Sequence, residues 1–487
     1  MVAPEILEKY DMTIGIECHV QLATATKLFS PANNDARDRS PNTVVHEIDF
    51  GLPGMLPVLN RRAVDLAIKA GKALNAGIAR VSRFDRKHYF YPDLPKGYQT
   101  TQMYHPIILE GYVDAPLLDG TIVRVRIHHA HMEEDAGKQT HYSDHSLVDL
   151  NRAGTPLIEI VSEPDIHSAE AAKAYATELH RLMTYAGVTL GNLYHGNMRF
   201  DVNVSVAPKG ATELGKRAEV KNLNSFRSVE RAAEFEFHRQ VELLEKGETV
   251  VQETRGWDDA AGKTSSQRSK EDAQDYRYMP DADIPPIVLT DEEIAEIQAT
   301  VPELPSSYRL RWQSLDLDRS VIESLLGTQS LAVLVSIIQE NSGDAAARRV
   351  AHWFSSAIST AETIEDEEAT GIVELTASPF VELATMVEKD ELSSTAAKEV
   401  FNELLQGAQS ARDIAESRNL LQVSDEGAVA AIVDEVLADP SSAQSVADIK
   451  AGQDKAIGFL VGQVMKKSQG KANPGIVQTL IRERLSK

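Results

Sequence analysis

Hydrophobic and polar residues alternate in several short segments of the first 290 residues, and this pattern predicts β-strands. The segment MTIGIECHVQL (12–22) places Glu17 and His19 between apolar residues at every second position. A period of two is typical of a strand that buries one face and leaves the other polar. The same alternation occurs in three further segments, TIVRVRIHH (121–129), PLIEIVSEP (156–164) and MRFDVNVSV (198–206).

Between these strands, apolar residues recur at helical spacing, which predicts α-helices over 61–76, 168–186 and 225–246. Gly187 follows the second of them, as expected of a glycine just beyond a helix C-terminus. From Asp291 onward the chain is almost wholly helix-forming. Mixed strands and helices followed by helices alone predict an α+β fold, with one large domain and two helical modules.

The composition is that of a globular protein, with 487 residues, of which 42% are hydrophobic and 25% charged. The only cysteine, Cys18, falls on the apolar face of its predicted strand, so we expect a buried hydrophobe and not a nucleophile. No apolar run approaches the roughly 18 residues of a membrane span. The acidic N-terminus has the character of neither a secretory signal nor a transit peptide. We therefore expect a cytoplasmic protein that does not bind a membrane.

The net charge of −23 argues against general affinity for nucleic acid, and DNA is not an expected partner. Two segments have the opposite sign. Residues 61–99 contain nine basic and three acidic residues, and residues 461–487 contain six basic residues and a single acid, Glu483. Each segment is either a solvated basic face or a site for a polyanion, and the charge pattern alone leaves both interpretations open.

Several polar side chains on the predicted strands are candidate metal ligands. Glu17 and His19 share a strand face and are roughly 6–7 Å apart along it, so both can reach one ion. A run of acids, Glu133, Glu134 and Asp135, follows soon after TIVRVRIHH. Adjacent strand residues point to opposite faces, so we expect only one of the two glutamates to join a given site. Such carboxylates suit Mg²⁺, and a merely solvated polar face is the alternative.

The segment RKHYFYPDLPKGY (86–98) combines basic residues, aromatic residues and prolines. Its Lys87 and Lys96 suit phosphates, and the ring of Tyr89 suits a base or another part of a substrate. The chain has no GxxxxGK[ST] loop and no GxGxxG after a strand, so an ATP site would be of another kind. Three segments, 254–258, 264–271 and 275–281, are dense in donors and poor in apolar residues, which predicts surface loops.

Ten longer motifs stand in order along the chain and carry a family resemblance. They are GIECHVQL, KLFS, FGLPGMLPVLN, RKHYFYPDLPKGYQ, EEDAGK, DLNRAGTPLIEIVSEPDI, RFDVNVSV, EVKNLNSF, ETRGWDDAAGKTSSQRSKEDAQDYRYMPDADIPP and GQVMKKSQGKANPGIV. From Thr13 to its end, the chain resembles the B subunits of the glutamine-dependent aspartyl/glutamyl-tRNA amidotransferases.

The resemblance implies a cradle-shaped α/β domain of kinase type over 1–293, a helical domain over 294–408 and a small helical tail domain over 409–487. It implies a carbon–nitrogen ligase that uses ATP and Mg²⁺ to phosphorylate the side-chain carboxylate of Glu or Asp misattached to tRNA(Gln) or tRNA(Asn). Ammonia then displaces phosphate and forms the amide. The implied partners are the A and C subunits of the same enzyme, of which the first is a glutaminase that makes ammonia from glutamine and the second is small.

The resemblance also implies roles for individual residues. The expected Mg²⁺ ligands are Glu17, His19 and Glu134. The expected catalytic residues are Glu17, His19, Glu133, Glu134 and Asp201. The expected ATP and phosphate ligands are Lys87, Tyr89, Lys96, Arg199, Asn203 and Ser205. The expected tRNA contacts of the tail are Lys466, Lys467 and Lys471.

One segment departs from the family pattern. Many relatives carry cysteines between KLF and GLPG that form a zinc site, whereas residues 30–50 here contain none. We therefore expect no structural zinc, and the sequence does not indicate what braces this segment instead.

Two other functions compete with this one. A noncatalytic tRNA-binding scaffold would account for the basic tail but not for the crowded polar strand faces of the first domain. An aminoacyl-tRNA synthetase is disfavoured, because the chain has no HIGH-like motif and KTSSQRSK (263–270) resembles a KMSKS loop only loosely.

Overall fold

The computed structural model describes residues 2–269, 275–361, 375–408, 410–422, 426–450, 454–468 and 472–486. The chain divides into two compact units, Met1–Ser307 and Tyr308–Lys487. Strands and helices build the first unit and helices build the second, which confirms the predicted α+β class. The three domains predicted from the sequence, 1–293, 294–408 and 409–487, have different boundaries from these two units. The division into three domains stays a prediction.

The strands all belong to the first unit. In chain order they are β1 Tyr10–Gln21, β2 Val81–Ser82, β3 Asp85–His88, β4 Tyr98–Thr101, β5 Gly111–Pro116, β6 Ile122–Glu134, β7 Lys138–His141, β8 Ser146–Asp149, β9 Pro156–Ser162, β10 Met198–Pro208, β11 Arg217–Leu223, β12 Glu253–Asp258, β13 Lys263–Ser269, β14 Met279–Pro280 and β15 Ile287–Val288. The four segments predicted from alternation overlap β1, β6, β9 and β10, so these predictions are confirmed.

The helices continue through both units. In chain order they are α1 Pro4–Leu7, α2 Arg61–Ala73, α3 Ala169–Tyr185, α4 Phe226–Glu245, α5 Asp291–Gln298, α6 Pro305–Arg311, α7 Arg319–Leu325, α8 Gln329–Ala361, α9 Ala377–Glu388, α10 Ser394–Leu405, α11 Ala411–Ser417, α12 Glu426–Ala438, α13 Ala443–Lys450, α14 Ile457–Lys467 and α15 Pro474–Leu485. The predicted helices over 61–76, 168–186 and 225–246 correspond to α2, α3 and α4.

A large sheet with the strand order β13-β12-β11-β10-β1-β9-β6-β5 forms the centre of the first unit. Neighbouring strands are antiparallel except β11 and β12, which are parallel. Smaller sheets, β14-β3-β4, β15-β2 and β7-β8, surround it. Because β1 lies in the middle of the large sheet, its outward-facing residues have neighbours on both sides.

One face of the large sheet is apolar and packs against α3 and α4. Ile14, Ile16 and Cys18 of β1 are buried on this face. Helix α3 begins where the Ser168 hydroxyl accepts a hydrogen bond from the third helical N–H, and it ends before Gly187, whose φ is +67°. The helices therefore cover the apolar face and leave the polar face of the same strands open for the site.

The predictions of surface loops over 254–258 and 264–271 are wrong, because these segments form β12 and most of β13 at one edge of the large sheet. Here polar side chains form hydrogen bonds and ion pairs with one another in place of an apolar core. Arg255 Nε lies 3.1 Å from Glu236 Oε1 of α4, and it donates to Thr264 Oγ1 at 2.7 Å. Residues 270 and 271 lie outside the described part of the chain. Within 275–281, the short strand β14 interrupts the predicted loop.

Helices of the second unit pack around two apolar groups. Phe354, Phe380 and Phe401 meet with ring centroids 5.0–5.8 Å apart. Nearer the C-terminus, α12, α14 and α15 bury the side chains of Val433, Leu460 and Val477 among others. Among the described helices, no single one is long and apolar enough to cross a membrane, although the bent pair Arg319–Leu325 and Gln329–Ile358 passes by length and composition.

Candidate active site

The open face of the large sheet collects polar residues from five neighbouring strands. On β1, Glu17 lies opposite Asp201 of β10, and His19 lies opposite Arg199 of β10 and Glu159 of β9. This register follows from the two-residue period, because every strand here turns its apolar positions toward the helices. The face divides into two groups of charged side chains, one on each side of β1.

The first group, which we call the histidine–carboxylate cluster, contains His19, Glu133, Glu159 and His131. His19 Nε2 lies 3.5 Å from Glu133 Oε1 and 3.9 Å from Glu159 Oε1. His131 Nε2 lies 3.1 Å from Glu159 Oε2 and 3.7 Å from Glu133 Oε2. Two carboxylates are therefore shared between two imidazoles in a largely buried site.

Charge coupling in this cluster moves its pKa values in opposite directions. Burial lowers the pKa of His131, but its contacts with Glu133 and Glu159 outweigh burial and raise it to about 9. Burial favours the neutral form of Glu159, yet His131, His19 and Lys87 hold the pKa of that carboxyl well below its usual range. Glu159 is therefore a carboxylate at neutral pH and is available to a cation.

Two more histidines continue the cluster along β6. His129 Nε2 is 3.2 Å from His131 Nδ1, and His128 Nδ1 is 2.7 Å from His129 Nδ1. Burial, together with the positive charges of His131 and His128, lowers the pKa of His129 to about 4. At neutral pH His129 is therefore a neutral imidazole between the cluster and the surface.

The second group, which we call the triple-carboxylate cluster, contains Glu17, Asp201 and Glu219, whose nearest carboxylate oxygens all lie within 4.8 Å of one another. The Nζ atom of Lys221 lies 3.0 Å from both Asp201 Oδ2 and Glu219 Oε1. Asn203 Nδ2 donates to Glu17 Oε1 at 3.1 Å. Within the described residues, the buried Oδ1 atom of Asn203 has no hydrogen-bond partner.

The pKa values of Glu17 and Lys221 are both raised in this cluster, but for different reasons. Burial and the charges of Glu159, Glu219 and Asp201 raise the pKa of Glu17. For Lys221, burial is outweighed by Asp201 and Glu219, which raise its pKa far above the usual value. The lysine therefore stays protonated and already supplies a positive charge to this cluster.

Glu134 points away from both clusters, so the expected Mg²⁺ set of Glu17, His19 and Glu134 does not come together. Lys96 donates to Glu134 Oε1, and the same oxygen accepts the N–H of Thr100 at 3.0 Å. Glu133 instead faces His19. One of the two adjacent glutamates joins the site, as strand geometry predicts, but it is Glu133 and not the preferred Glu134.

Asp135, which directly follows β6, forms ion pairs with two arginines. Arg199 donates to Asp135 Oδ2 at 2.9 Å, and Arg152 Nε lies 3.4 Å from the same oxygen. The charge and hydrogen bond of Asp135 raise the pKa of Arg199 against the opposing effect of burial. Arg199 is thus a fixed positive charge beside the histidine–carboxylate cluster.

A cleft of about 880 Å³ opens over the histidine–carboxylate cluster. Glu133 and Glu159 form one part of its wall, and Lys87 and Tyr278 form another. Glu17 also lines it, so both clusters are reached from this space. The volume and the mixture of carboxylates with a lysine suit a polar, phosphorylated ligand.

A second cleft, of about 450 Å³, lies over the other half of the same face and is lined by Glu17, Asn203 and Ser205. The expected phosphate ligands are therefore divided between two spaces. Lys87 is in the larger cleft, whereas Asn203 and Ser205 line the smaller one. The register of β1 and β10 explains this division, since Ser205 lies opposite Thr13 and four residues beyond Asp201.

The donor set of the histidine–carboxylate cluster fits Mg²⁺. The ligand atoms of His19, Glu133 and Glu159 lie within 4.8 Å of one another, and two of the three are carboxylates. Mg²⁺ typically uses one or two carboxylates and completes its shell with water and phosphate. His131 can release its proton when a divalent cation arrives, whereas Lys221 remains charged in the other cluster, so the first cluster is the better metal site.

Lys87 lies on β3 of the small β14-β3-β4 sheet, and Tyr89 and Lys96 lie in the connection from β3 to β4. Lys87 Nζ lies 5.0 Å from the centroid of the Tyr276 ring, and Lys96 Nζ lies 5.1 Å from that of Tyr98. Burial and the nearby carboxylates raise the pKa of Tyr89, so its phenol stays neutral. Lys96 is engaged with Glu134, which makes Lys87 the lysine of this sheet that faces the cleft.

Of the predicted tRNA contacts in the tail, Lys466 and Lys467 lie in the last turn of α14. Lys467 Nζ forms an ion pair with Glu435 Oε1 at 2.6 Å. Lys471 lies outside the described residues. Binding of a phosphate by Lys467 therefore requires it to exchange Glu435 for the phosphate.

Hydrogen bonds and a buried ion pair brace the cysteine-free segment 30–50. The fully buried Lys27 Nζ lies 3.1 Å from Asp49 Oδ2 and donates to the Val44 carbonyl at 2.9 Å. Asn151 Oδ1 accepts the N–H of Val44, and Asn151 Nδ2 donates to the Ser40 carbonyl. These contacts tie the segment to Lys27 and to the turn that follows β8.

Glu159, Glu219, Lys221 and His131 were not among the predicted site residues. Glu159 lies at a polar position of a correctly predicted strand, so alternation could have found it. His131 lies beyond the predicted segment 121–129, and an irregularity in the register of β6 shifts the alternation before it. Glu219 and Lys221 lie on β11, and no strand was predicted there. Their pairing with Asp201 depends on sheet order, which alternation along one strand does not contain.

Two family models match the chain. Residues 12–295 match the model described as the GatB/GatE catalytic domain, and residues 333–485 match the model described as the GatB domain. The first match covers the large sheet except the first two residues of β1, and it contains both charged clusters.

Curated relatives, the B subunits of aspartyl/glutamyl-tRNA(Asn/Gln) amidotransferases, align with almost the whole chain. The relative from Persephonella marina is 44% identical over 98% of this chain and 100% of its own length. The proteins of the same name from Alkalilimnicola ehrlichii and a Synechococcus species are 46% and 43% identical, over 98% and 100% of this chain and 99% of their own lengths. The chain belongs to the family of these amidotransferase B subunits, which confirms the resemblance seen in the motifs.

Proposed function

We propose that this chain uses ATP to phosphorylate the side-chain carboxylate of misacylated Glu-tRNA(Gln) or Asp-tRNA(Asn), and then forms the amide with ammonia. The observation that carries the proposal is the cleft in which Glu133, Glu159 and Lys87 meet, in a chain of this family. A carboxylate is a poor electrophile, so amide formation requires a leaving group, which phosphate provides.

In the first step a carboxylate oxygen of the aminoacyl group attacks the γ-phosphorus of ATP. The bond from that phosphorus to the bridging oxygen breaks, and ADP leaves. Catalysis of such a transfer is mainly positioning and neutralisation of charge. Lys87, which lines the cleft, and Arg199, beside the histidine–carboxylate cluster, would hold phosphate oxygens, and the neutral phenol of Tyr89 directly follows β3.

Mg²⁺ would be held by His19, Glu133 and Glu159 and would neutralise charge on the transferring phosphoryl group. The chain orients these ligands through their strand register. His131 contacts both carboxylates and holds their side chains toward His19. Asn203 and Glu17 line the smaller cleft.

In the second step ammonia attacks the acyl carbon, the bond to the phosphate oxygen breaks, and phosphate leaves. Cys18 is fully buried, and burial raises the pKa of its thiol. It is therefore no glutaminase nucleophile. We infer that ammonia comes from a partner chain, the glutaminase subunit, in a complex that contains both the A and C subunits, and that Lys466, Lys467 and Lys471 contact the tRNA.

The test is amide formation from Glu-tRNA and Asp-tRNA with purified components. With the A and C subunits, glutamine and ATP, we expect the amide. The isolated chain should hydrolyse no glutamine and should form amide only with ATP and an added ammonium salt, and Cys18→Ser should leave glutamine-dependent amidation largely intact. Glutamine hydrolysis by the isolated chain, or amide formation without ATP, would contradict the proposal.

A further inference from the structure

Five tyrosines form a continuous row beside the larger cleft. In spatial order the row consists of Tyr91, Tyr89, Tyr276, Tyr278 and Tyr104. Successive ring centroids are 6.0, 6.2, 6.0 and 6.3 Å apart, and every neighbouring pair meets edge to face. We call this set the tyrosine row.

Three separate segments are joined to build the row. The Tyr276 carbonyl accepts the N–H of His88, the last residue of β3, at 2.9 Å. The N–H of Tyr104 donates to the buried Asp85 Oδ2 at 3.1 Å. Because β3 and β14 pair through Arg86 and Met279, the rings are carried by hydrogen-bonded backbone at several points.

The row differs from an apolar core because its rings remain accessible. The side chains of Tyr91 and Tyr104, at the two ends, are 52% and 58% exposed. The three inner tyrosines are half-buried. Aromatic faces held open in this way are suited to stacking with unpaired bases, which all nucleotides can provide.

One end of the central part of the tyrosine row lies at the cleft that contains the carboxylates of the histidine–carboxylate cluster. Tyr278 lines the cleft together with Glu133 and Glu159, and Lys87 lies over the ring of Tyr276. Burial, with further effects from Tyr276, Glu133 and Glu159, raises the pKa of Tyr278 to about 12. Its phenol is therefore uncharged at neutral pH and does not repel a phosphate.

We infer that the tyrosine row binds the unpaired 3′ nucleotides of the aminoacyl-tRNA and directs its aminoacyl end toward the carboxylates of the cleft. The inference rests on the proposed function, which requires that end to enter the cleft. ATP brings a single base, whereas the 3′ end of a tRNA brings several in succession, and the row offers several rings. Lys87 supplies positive charge for the accompanying phosphates.

The test compares Tyr91→Ala and Tyr104→Ala in the complex with the A and C subunits. Each variant should raise the KM for Glu-tRNA on the order of tenfold, the loss expected from one base–aromatic stack, with kcat and the KM for ATP nearly unchanged. Tyr91→Phe and Tyr104→Phe should restore the KM, because they keep the ring. The matched control is Tyr142→Ala, since Tyr142 is 55% exposed but stacks on His145 outside the row.

A binding measurement keeps the inference testable apart from catalysis. Removing the unpaired 3′ nucleotides from tRNA(Gln) should weaken its binding to the wild-type complex, and this effect should be smaller in Tyr91→Ala and Tyr104→Ala. An unchanged KM for Glu-tRNA in both variants, an equal effect of truncation, or a raised KM for ATP would overturn the inference. Failure of the wild-type complex to form amide would contradict the proposed function, while the truncation experiment still decides the role of the row.

Discussion

His19 Nε2 lies 3.5 Å from Glu133 Oε1, although their strands, β1 and β6, do not pair with each other. β9 lies between the two strands, and its Glu159 Oε1 approaches the same nitrogen to 3.9 Å. Three strands thus contribute one ligand group each to a site that the antiparallel register assembles. A shift in strand register would separate these three ligand groups. The apolar packing of β1 fixes its register and therefore helps to hold the site together.

The first prediction concerns the metal ligands. Glu133→Gln and Glu159→Gln should each lower the rate of amide formation on the order of 100-fold or more, because charge neutralisation by the metal is lost. Glutamine hydrolysis by the glutaminase subunit should continue. Binding of Mn²⁺, followed by electron paramagnetic resonance, should weaken in parallel.

The matched control for these variants is Glu163→Gln, which changes the other glutamate of the PLIEIVSEP segment. Glu163 lies one residue beyond β9 and outside both clusters. It should retain amidation and Mn²⁺ binding. Near-normal amidation in both Glu133→Gln and Glu159→Gln would remove the metal site as we assign it.

The second prediction is a pH dependence of stability in the presence of a chelator. The pKa of His131 is raised to about 9 in the folded chain, above its usual value of 6.5. The contribution of its ion pairs to stability is therefore complete below about pH 6.5 and is lost as the pH rises through 9. The change should be on the order of 3 kcal/mol at most.

Urea unfolding of the wild type at pH values from about 6 to about 9.5 measures this contribution. The unfolding midpoint should fall across that range, and His131→Gln should show a weaker fall. The control is His141→Gln, which changes an exposed histidine of β7. Equal pH dependence in the wild type and in His131→Gln would show that these ion pairs do not stabilise the fold.

The third prediction concerns the buried ion pair that braces residues 30–50. Asp49→Asn should lower the free energy of unfolding by about 3–5 kcal/mol, because it leaves the Lys27 ammonium buried without its counter-charge. Burial already lowers the pKa of Lys27. The double variant Lys27→Met with Asp49→Leu should recover much of the loss.

The exposed pair Arg37–Asp35 is the control for this experiment, since it lies in the same segment. Its side chains are 45% and 52% exposed, and Asp35→Asn should cost less than about 1 kcal/mol. Denaturant unfolding measures all three changes. A similar small cost for Asp49→Asn would mean that other contacts brace the segment.

Sequence patterns predicted the strands of the site better than its ligand groups. Alternation identified β1, β6, β9 and β10, because each buries one face against helices. It could not select Glu133 over Glu134, since an irregularity in the pairing of β6 with β9 changes which residues of β6 face the site. Strands β12 and β13 were missed because Arg255 and Thr264 on these strands bond each other and Glu236 of α4 in place of apolar packing.

The fourth prediction concerns the tail. Lys466→Ala and Lys467→Ala should weaken tRNA binding at low salt, and each should reduce the slope of log K against log salt by about 1. Lys398→Ala, on an exposed position of α10, should change neither quantity. Filter binding at several salt concentrations measures the slopes, and unchanged slopes in both tail variants would show that these lysines do not contact phosphates.

The central claim is that the side-chain carboxylate is phosphorylated before it is amidated. The most direct measurement uses Glu-tRNA(Gln) in which both oxygens of the side-chain carboxylate are ¹⁸O, with the full complex, ATP and glutamine. Because phosphate leaves with the oxygen that attacked ATP, each released phosphate should contain one ¹⁸O atom. Amide formation accompanied by phosphate without ¹⁸O would contradict the account.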